Sequence, residues 1–271
     1  MRDSNFRPKK RLGQSFLINQ NISQKIIAAS GLARNDIILE IGPGKGILTK
    51  ELARRVSRVV AVEVDKRLYA DLLKTLKDCV NVSLLKQDIL KFDLKGYLKQ
   101  ESIINKIKIV ANIPYSITTL ILEYVFDNID VLDSVYLMVQ KEFAQRIVAK
   151  AGTKDYSSLS CFAQFHTFAK ILFTVKRNCF WPQPKVDSCF IELKARSPES
   201  WIEDLRPKDE KLLFKLITGA FCYRRKTILN SLAYIIDKEK IAQILANLKI
   251  DPHLRPENLS IEQYIRISNE I

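Results

Sequence analysis

Hydrophobic and polar positions follow two alternating patterns over the first two-thirds of the chain. Short apolar runs predict strands at 37–42, 58–64, 82–88, 108–112, 135–140, 170–175 and 188–194. Apolar positions at three- and four-residue spacing predict helices at 46–56, 66–78 and 117–128. This strand–helix–strand rhythm predicts right-handed crossovers and a mostly parallel, doubly wound α/β sheet. The short linker between the last two strands predicts an antiparallel hairpin at one edge.

The pattern changes between residues 196 and 207. From Pro207 onward only helical periodicity remains, at 208–222, 225–235, 238–248 and 261–268. We therefore expect an α/β domain over residues 1–200 and a small all-helical domain over residues 201–271.

The composition points to a polyanionic partner. Lysine and arginine exceed aspartate and glutamate by 14 charges, and such a surplus most often accompanies nucleic-acid binding. No apolar run is long enough to span a bilayer, and the first residues lack the apolar core of a signal peptide. We expect a cytoplasmic protein without membrane association.

The cysteines and histidines do not predict a metal site. The five cysteines form no C-x-x-C pair, and the two histidines, His166 and His253, lie far apart in the sequence. We expect no bound metal, and cysteines that are reduced core residues.

A glycine-rich turn follows the first predicted strand, in the sequence LEIGPGKGILT at 39–49. Glycines at 42, 44 and 46 allow the backbone to turn sharply and approach a ligand at the next helix N-terminus. The spacing is G-x-G-x-G and not the G-x-G-x-x-G of dinucleotide-binding sheets. An ordinary strand–helix turn is the alternative interpretation.

Acidic residues end the next two predicted strands. Glu63 is suited to accept both hydroxyls of a ribose, although a helix cap or a solvated charge would give the same pattern. Asp88 is suited to accept from the amine of an adenine, with Ile89 covering the ring, although an exposed turn is the alternative. The glycine turn and both acids lie at the carboxyl ends of parallel strands, where open α/β sheets bind ligands.

The fourth predicted strand ends on the same rim, in Asn112-Ile113-Pro114-Tyr115. Pro114 restricts its own φ and favours an extended Ile113, so the Asn112 side-chain oxygen and the Ile113 carbonyl form two fixed acceptors. Two acceptors suit an –NH2 group, and Tyr115 supplies a face for a base that has left its helix. A capped strand-to-helix turn is the alternative.

The chain resembles the ribosomal RNA adenine dimethyltransferases nearly from end to end. The matching segments, in order, are GQSFL (13–17), LEIGPGKGILT, VEVD (62–65), QDIL (87–90), NIPYSI (112–117), FWPQPKVDS (180–188) and FCYRRKTILNSL (221–232). The resemblance implies a Rossmann-like methyltransferase sheet that uses S-adenosyl-L-methionine to dimethylate adenine N6 in ribosomal RNA.

The resemblance also implies the roles of individual residues. The implied cofactor-binding residues are Ser15, Leu17, Glu40, Gly42, Gly44, Glu63, Asp88, Ile89 and Asn112. Position 15 departs from the family, which usually has Asn or His there, so we expect a weaker contact from the Ser15 hydroxyl. Asn112, Ile113, Pro114 and Tyr115 are the implied reaction site, and Phe180 is the implied second stacking aromatic, with a core aromatic as its alternative.

Two basic clusters are candidates for gripping RNA phosphates. They comprise Arg7, Lys9, Lys10 and Arg11 near the start, and Arg224, Arg225 and Lys226 in the helical domain. Solvated charge is the general alternative, and a structural interdomain role is a further one for the second cluster.

The resemblance favours a small-subunit enzyme, because large-subunit relatives usually lack RRKTILNSL. It implies dimethylation of two adjacent adenines near the 3′ end of 16S rRNA, with small-subunit RNA or an assembling small subunit as partner and a monomeric enzyme. The alternatives are a large-subunit (23S) rRNA dimethyltransferase and a non-catalytic ribosome-assembly or transcription factor. A nicotinamide dehydrogenase is disfavoured by the glycine spacing.

Overall fold

The computed structural model describes residues 13–197 and 205–271, which contain nine strands and eleven α-helices. The strands are β1 Phe16–Leu17, β2 Ile37–Ile41, β3 Arg58–Glu63, β4 Val82–Lys86, β5 Ile107–Asn112, β6 Leu132–Gln140, β7 Thr167–Val175, β8 Phe180–Trp181 and β9 Ser188–Ala195. The helices are α1 Gln20–Ala29, α2 Ile47–Ala53, α3 Lys66–Thr75, α4 Leu94–Gln100, α5 Thr118–Asp127, α6 Lys141–Ile147, α7 Ser158–His166, α8 Glu210–Cys222, α9 Ile228–Leu232, α10 Lys238–Asn247 and α11 Ile261–Asn269.

The main sheet has seven strands in the order β4-β3-β2-β5-β6-β9-β7. Neighbours from β4 to β6 are parallel, whereas β9 is antiparallel to β6, and β7 lies beside β9 at the edge. The predicted parallel sheet with an antiparallel edge is confirmed. A separate antiparallel pair joins β1 to β8, which the sequence did not predict.

The central strands are mostly apolar because helices cover parallel sheets on both faces. Leu39, Val60, Ile109 and Leu137, one from each of β2, β3, β5 and β6, are at most 2% exposed. Near the carboxyl ends of three of these strands lie the polar residues Glu40, Glu63 and Asn112. The carboxyl edge of the sheet is therefore where chemistry is concentrated.

The predicted elements begin and end within three residues of the observed ones. The sequence reading missed α1, α4, α6 and α7 as well as the two-residue strands β1 and β8. A strand of two residues is too short to show an alternating pattern in the sequence, so it can be identified only from its pairing with another strand.

Contacts between residues divide the chain into two compact units. The first comprises the described residues up to Ala144 together with Lys170–Ala195, and the second comprises Gln145–Ala169 with the described residues from Arg196 to Ile271. The division thus differs from the predicted single boundary, because 145–169 belong with the later helices. A boundary at residue 200 stays a prediction, since 198–204 lie outside the described residues.

The second unit is helical around its own core. Leu216, Leu232, Leu245 and Tyr264 are fully buried there, and α7 supplies buried side chains to the same cluster. Cys222 at the end of α8 is exposed, so the expectation that every cysteine is a core residue is wrong for this one.

Within the described ranges no helix has both the length and the hydropathy needed to cross a bilayer. The same residues contain no cluster of three or more His, Cys, Asp or Glu side chains arranged to hold a metal ion.

Candidate active site

A cavity in the first unit opens at the carboxyl ends of β2, β3 and β5. Most residues predicted at the site line it: Ser15, Leu17, Glu40, Gly42, Gly44, Glu63, Asp88, Ile89, Asn112, Ile113 and Pro114. Tyr115 and Phe180 do not line it. The structure therefore gathers residues separated by almost 100 positions into one cavity.

The glycine turn is required by the backbone and by its neighbours. Gly44 has φ +60°, and a Cβ on it would lie 2.9 Å from the Phe16 ring. Gly42 has φ +66°, but a Cβ there would meet nothing within 4 Å. Gly44 is thus needed for the close approach of Phe16, whereas Gly42 leaves open space beside the cavity.

Glu40, in β2, is a buried carboxyl with one unsatisfied oxygen. The side chain is 2% exposed, and its Oε2 has no hydrogen-bond partner. Burial raises the pKa of Glu40 to about 8, and the carboxyl of Glu63 adds to the rise. The Thr49 hydroxyl opposes the rise without reaching hydrogen-bonding geometry. An orphaned acceptor of this kind fits a ligand that brings a positively charged donor.

Glu63 links the glycine turn to the end of β3. Its Oε2 accepts from the Gly44 N–H at 3.3 Å, and its Oε1 accepts from the Asp65 N–H at 2.8 Å. Burial raises the pKa of Glu63, while these two backbone N–H groups lower it. Each carboxylate oxygen keeps a further lone pair for a ligand hydroxyl.

Asp88 caps the short 3₁₀ turn Ile89–Lys91 by accepting from the Leu90 N–H at 3.1 Å. The turn interpretation of this residue therefore describes part of its role. Its carboxyl nevertheless lines the cavity, next to the buried side chain of Ile89. One side chain holds the turn and faces the ligand space.

The charge of the cavity distinguishes between cofactors. Glu40, Glu63 and Asp88 line it, against the single cation of Lys45. These carboxyl groups offer acceptors and not the donors that a dinucleotide pyrophosphate needs, and they suit a ligand with a sulfonium, an ammonium and donor hydroxyls, whose positive charge would favour the ionised form of Glu40. The residues thus fit S-adenosylmethionine and not a nicotinamide dinucleotide.

The segment 13–17 is anchored around the cavity at several points. Gln14 Nε2 donates to Asp65 Oδ2 at 3.3 Å, and the Ser15 hydroxyl donates to the Pro182 carbonyl at 2.9 Å. A Cβ on Gly13 would lie 2.6 Å from the Ser116 hydroxyl, so this glycine permits a close contact with the strand end beside it. The Ser15 hydroxyl, expected at the cofactor, is engaged with the chain itself.

Asn112 has two chemically different ends in two different environments. Its Nδ2 donates to the Ser15 carbonyl at 2.9 Å, whereas its buried Oδ1 has no hydrogen-bond partner. The Ser15 carbonyl therefore fixes the amide orientation, because only the NH2 end can donate to it. Asn112 thus brings a fixed, unsatisfied acceptor to the cavity wall, at the residue where the sequence predicted a contact to an amine.

Tyr115 is held by its hydroxyl, which is 2.5 Å from the Ser188 hydroxyl. Burial raises the pKa of Tyr115 to about 12. Pro114, the residue before it, has φ −64° and ψ 126°, and this φ is the one to which the proline ring is restricted. The ring is thus fixed by both the backbone and the hydroxyl.

Phe180 is 2% exposed and packs in the core cluster that also contains Leu17 and Ile26. The core-aromatic alternative describes its position, and a stacking role for Phe180 stays a prediction. Trp181, the next residue, is half-buried, and the Lys45 ammonium lies 5.3 Å from its ring centroid. Adjacent residues of a strand face opposite sides, so burial of one ring directs the other outward.

Arg224 has a structural role within the second unit. Its Nη2 donates to the Lys154 carbonyl at 2.7 Å, and its Nε lies 3.5 Å from Glu257 Oε2. Arg225 is exposed. Arg224 is thus a structural residue whose contact with RNA stays a prediction, as it does for Arg225.

Lys226 belongs to an exposed aromatic group. Its ammonium lies 4.6 Å from the Tyr234 ring centroid and donates to the hydroxyl of that residue. The rings of Tyr223 and Tyr234 stack at 3.9 Å. The other predicted RNA-contacting residues, Arg7, Lys9, Lys10 and Arg11, lie outside the described part of the chain.

Sequence reasoning missed several apolar residues of the cavity, among them Phe16 and Val64. Phe16 lies against Gly44, and Val64 lines the cavity although it is 54% exposed. Val64 could have been predicted, because it is an apolar residue directly after Glu63, the acid that ends β3. Phe16 gave no signal, because its partner lies in the glycine turn.

Comparisons with known proteins agree with the motifs. The family described as Ribosomal RNA adenine dimethylase matches residues 5–271. A ribosomal RNA small subunit methyltransferase A from Clostridioides difficile is 41% identical over 270 residues, which cover 98% of this chain and 92% of that protein. The protein of the same name from Fusobacterium nucleatum is 40% identical over 264 residues and covers 97% of each chain.

Solved structures share the whole architecture. A dimethyladenosine transferase from Plasmodium falciparum has a TM-score of 0.76 at 25% identity, covering 93% of this chain and 95% of its own. The 23S rRNA methyltransferase ErmE has a TM-score of 0.71 at 24% identity, and the match covers 94% of this chain and 98% of ErmE. At this identity the similarity shows a shared fold. The resemblance read from the motifs is confirmed.

Proposed function

The chain belongs to the ribosomal RNA adenine dimethylase family and is a methyltransferase, and we propose that it dimethylates N6 of two adjacent adenines near the 3′ end of small-subunit rRNA. The small-subunit assignment is supported by relatives at about 41% identity that are named for that subunit. The observation that carries the chemistry is the buried, unpartnered Oδ1 of Asn112.

The methyl donor in this proposal is S-adenosyl-L-methionine, which supplies an electrophilic methyl group when bound. Glu63 and Asp88 would accept from its ribose hydroxyls and its adenine amine, and Glu40 from its ammonium. Gly42 and Gly44 let the backbone approach it, with Ser15, Leu17 and Ile89 as neighbouring walls. All of these side chains line one cavity, and their combined charge suits a cation.

Asn112 would act on the substrate amine. The N6 lone pair of adenine is delocalised into the ring and is a poor nucleophile. Hydrogen bonds from N6 to Asn112 Oδ1 and to the Ile113 carbonyl favour a tetrahedral nitrogen whose lone pair is free to attack. Fixed acceptors of this kind also stabilise positive charge on that nitrogen, at no reorganisation cost during the reaction.

The proposal requires no general base in the cavity. Tyr115, the nearest phenol along the chain, has a pKa raised to about 12 and stays protonated at neutral pH. Its fixed ring would support the extruded base by stacking. After the first transfer the positively charged methylated nitrogen would lose one proton to solvent, and Asn112 Oδ1 still offers an acceptor to the single N–H that remains.

The proposed partner is the small-subunit rRNA, free or in an assembling small subunit, and the proposed setting is the cytoplasm. The positive charge of the chain supports RNA binding, with Arg225 and Lys226 as exposed contacts in the second unit. We propose a monomeric enzyme.

The test is transfer of labelled methyl groups from S-adenosylmethionine to undermethylated small subunits, large subunits and the free RNA of each. We expect label in small-subunit RNA, with dimethyladenosine at two adjacent positions as mapped by primer-extension stops. Label confined to large-subunit RNA would make the 23S alternative correct. Absence of transfer to any of them, with S-adenosylmethionine bound, would support the non-catalytic alternative.

A further inference from the structure

A second concave surface in the first unit is built entirely from polar side chains. We call it the cationic bowl; it is lined by Lys176, Arg177, Asn178, Gln183, Lys185 and Asp187. Three cations and two amides face one carboxylate. Such a set of donors is suited to an anion with several acceptor oxygens.

Asp187 organises the bowl and neutralises only one of its cations. Its Oδ2 lies 3.1 Å from Lys176 Nζ, and its Oδ1 accepts from the Arg177 N–H at 3.0 Å. Arg177 Nη1 donates to the Lys185 carbonyl at 3.3 Å, which holds the guanidinium across the bowl. Among the described residues neither Arg177 nor Lys185 forms an ion pair, so two positive charges remain uncompensated.

The bowl is connected to the active site along the chain through β8. Its residues lie in the two connections on either side of this strand, which pairs with β1 so that Leu17 faces Phe180. The Ser15 hydroxyl binds the Pro182 carbonyl in the second connection, and the same connection leads to Ser188, whose hydroxyl holds Tyr115. A ligand in the bowl therefore sits on the loops that fix the walls of the reaction site.

We propose that the cationic bowl binds a backbone phosphate of the RNA strand that carries the target adenine, an inference that rests on the function proposed above. Extruding a base leaves its neighbouring phosphates in place, so a clamp on one of them would fix the strand while the base turns. The planar guanidinium of Arg177 matches two phosphate oxygens, and Asn178 and Gln183 add neutral donors. A phosphate contact does not read the base, so it would serve both adjacent adenines.

The first test removes the two uncompensated charges. We expect Arg177→Ala/Lys185→Ala to bind the RNA about tenfold more weakly at about 0.1 M salt, with a plot of log affinity against log salt less steep by about one. The matched control is Lys74→Ala/Lys77→Ala, which removes the same charge from two exposed lysines, one in the last turn of α3 and one in the turn that follows it. Lys185→Ala alone should give part of the loss, since only the Lys185 carbonyl takes part in the loop hydrogen bonds.

The second test identifies the phosphate. RNAs with one uncharged methylphosphonate at each position around the target adenines are bound to the wild-type protein and to the double variant. We expect one position at which the replacement weakens wild-type binding about tenfold and leaves the variant unaffected. Titration with inorganic phosphate is the parallel arm, because a bowl that served a free anion would bind it without any methylphosphonate position responding.

The outcomes separate this inference from the proposed function. If the double variant and the control bind RNA with equal affinity and equal salt dependence, the bowl is not a phosphate clamp, whatever RNA is methylated. If the wild-type protein methylates only large-subunit RNA, the substrate proposal is wrong and the bowl is tested on that RNA. The dissociation constant for S-adenosylmethionine should match that of the wild type in every variant. A change in it would show that the loss of RNA affinity comes from damage to the cofactor cavity, and it would contradict a phosphate-binding role of the bowl.

Discussion

Glu40→Gln should remove a pH-dependent destabilisation that the cavity imposes on the fold. The carboxyl is 2% exposed, and burial raises its pKa from 4.5 to about 8. Between these two values the folded chain retains a proton that the unfolded chain has lost. The stability of the wild-type protein therefore falls as pH rises through this window, with the full contribution present below pH 4.5.

The magnitude follows from the shift. A pKa raised by a few units makes the cost about 3 kcal/mol at pH 7 and about 5 kcal/mol above pH 8. Glutamine has nearly the same shape and does not titrate. The variant should gain on the wild type by about 3 kcal/mol between pH 5.5 and pH 7.5.

The assay is urea unfolding of the ligand-free protein, followed by far-ultraviolet circular dichroism at half-unit steps from pH 5.5 to 8.5. The result is the slope against pH of the difference in unfolding free energy between the two proteins. The other titrating groups contribute equally to both proteins, and a pH-independent difference reflects the replacement of the carboxyl by an amide. Glu123→Gln, on the exposed face of α5, is the control, because it makes the same Glu-to-Gln substitution at a surface position. A difference that stays flat from pH 5.5 to 7.5 would refute the buried, protonated Glu40.

The same proton links Glu40 to the proposed cofactor. A bound ammonium beside Glu40 favours the ionised carboxyl, so binding should release a proton below pH 8. The affinity of the wild-type protein for S-adenosylmethionine should then rise with pH between 6 and 8, by up to about tenfold per unit. Glu40→Gln should lose this dependence, and calorimetry in two buffers of different ionisation enthalpy counts the protons.

Three further substitutions test the rest of the site. Asn112→Ala should lower single-turnover methyl transfer by at least about 10²-fold and keep the S-adenosylmethionine dissociation constant within a few-fold, and near wild-type transfer would contradict its role. Gly44→Ala forces a Cβ to within 2.9 Å of the Phe16 ring at a φ of +60°, so it should destabilise the protein by about 1–3 kcal/mol and weaken cofactor binding, as measured by urea unfolding and calorimetry. Tyr115→Phe removes the hydrogen bond to Ser188, so it should cost about 1 kcal/mol of stability while transfer stays within about tenfold of wild type, and a loss as large as that of Asn112→Ala would refute a role limited to the ring.

The rim of the cavity could be predicted from sequence because its signals are local. A buried strand must be apolar, and each acid or amide that ends one stands out against it. Glycines in a tight turn identify backbone conformations that other residues avoid. Glu63, Asp88 and Asn112 were therefore predicted at one edge before any contact was known.

The features that sequence reasoning missed depend on distant partners. Ser15 and Pro182 are 167 positions apart, and neither residue signals the bond between them. Strand periodicity predicts that Phe180 and Trp181 face opposite sides but not which of the two is buried, because that depends on the core contributed by Leu17 and Ile26. Residues 145–169 join the second unit for the same reason, since their apolar side chains find partners only in the later helices.

The two ends of the Asn112 amide would make the proposed binding of cofactor and substrate thermodynamically dependent on each other. One end is fixed by the Ser15 carbonyl, in a segment that also lines the cofactor cavity, and the other end is the acceptor offered to the amine. Any ligand that orders segment 13–17 thereby also orders the acceptor. By linkage, the cofactor must then raise the affinity for the adenine by the same factor as the adenine raises the affinity for the cofactor. A single side chain would thus make the two proposed binding steps cooperative without a change of fold.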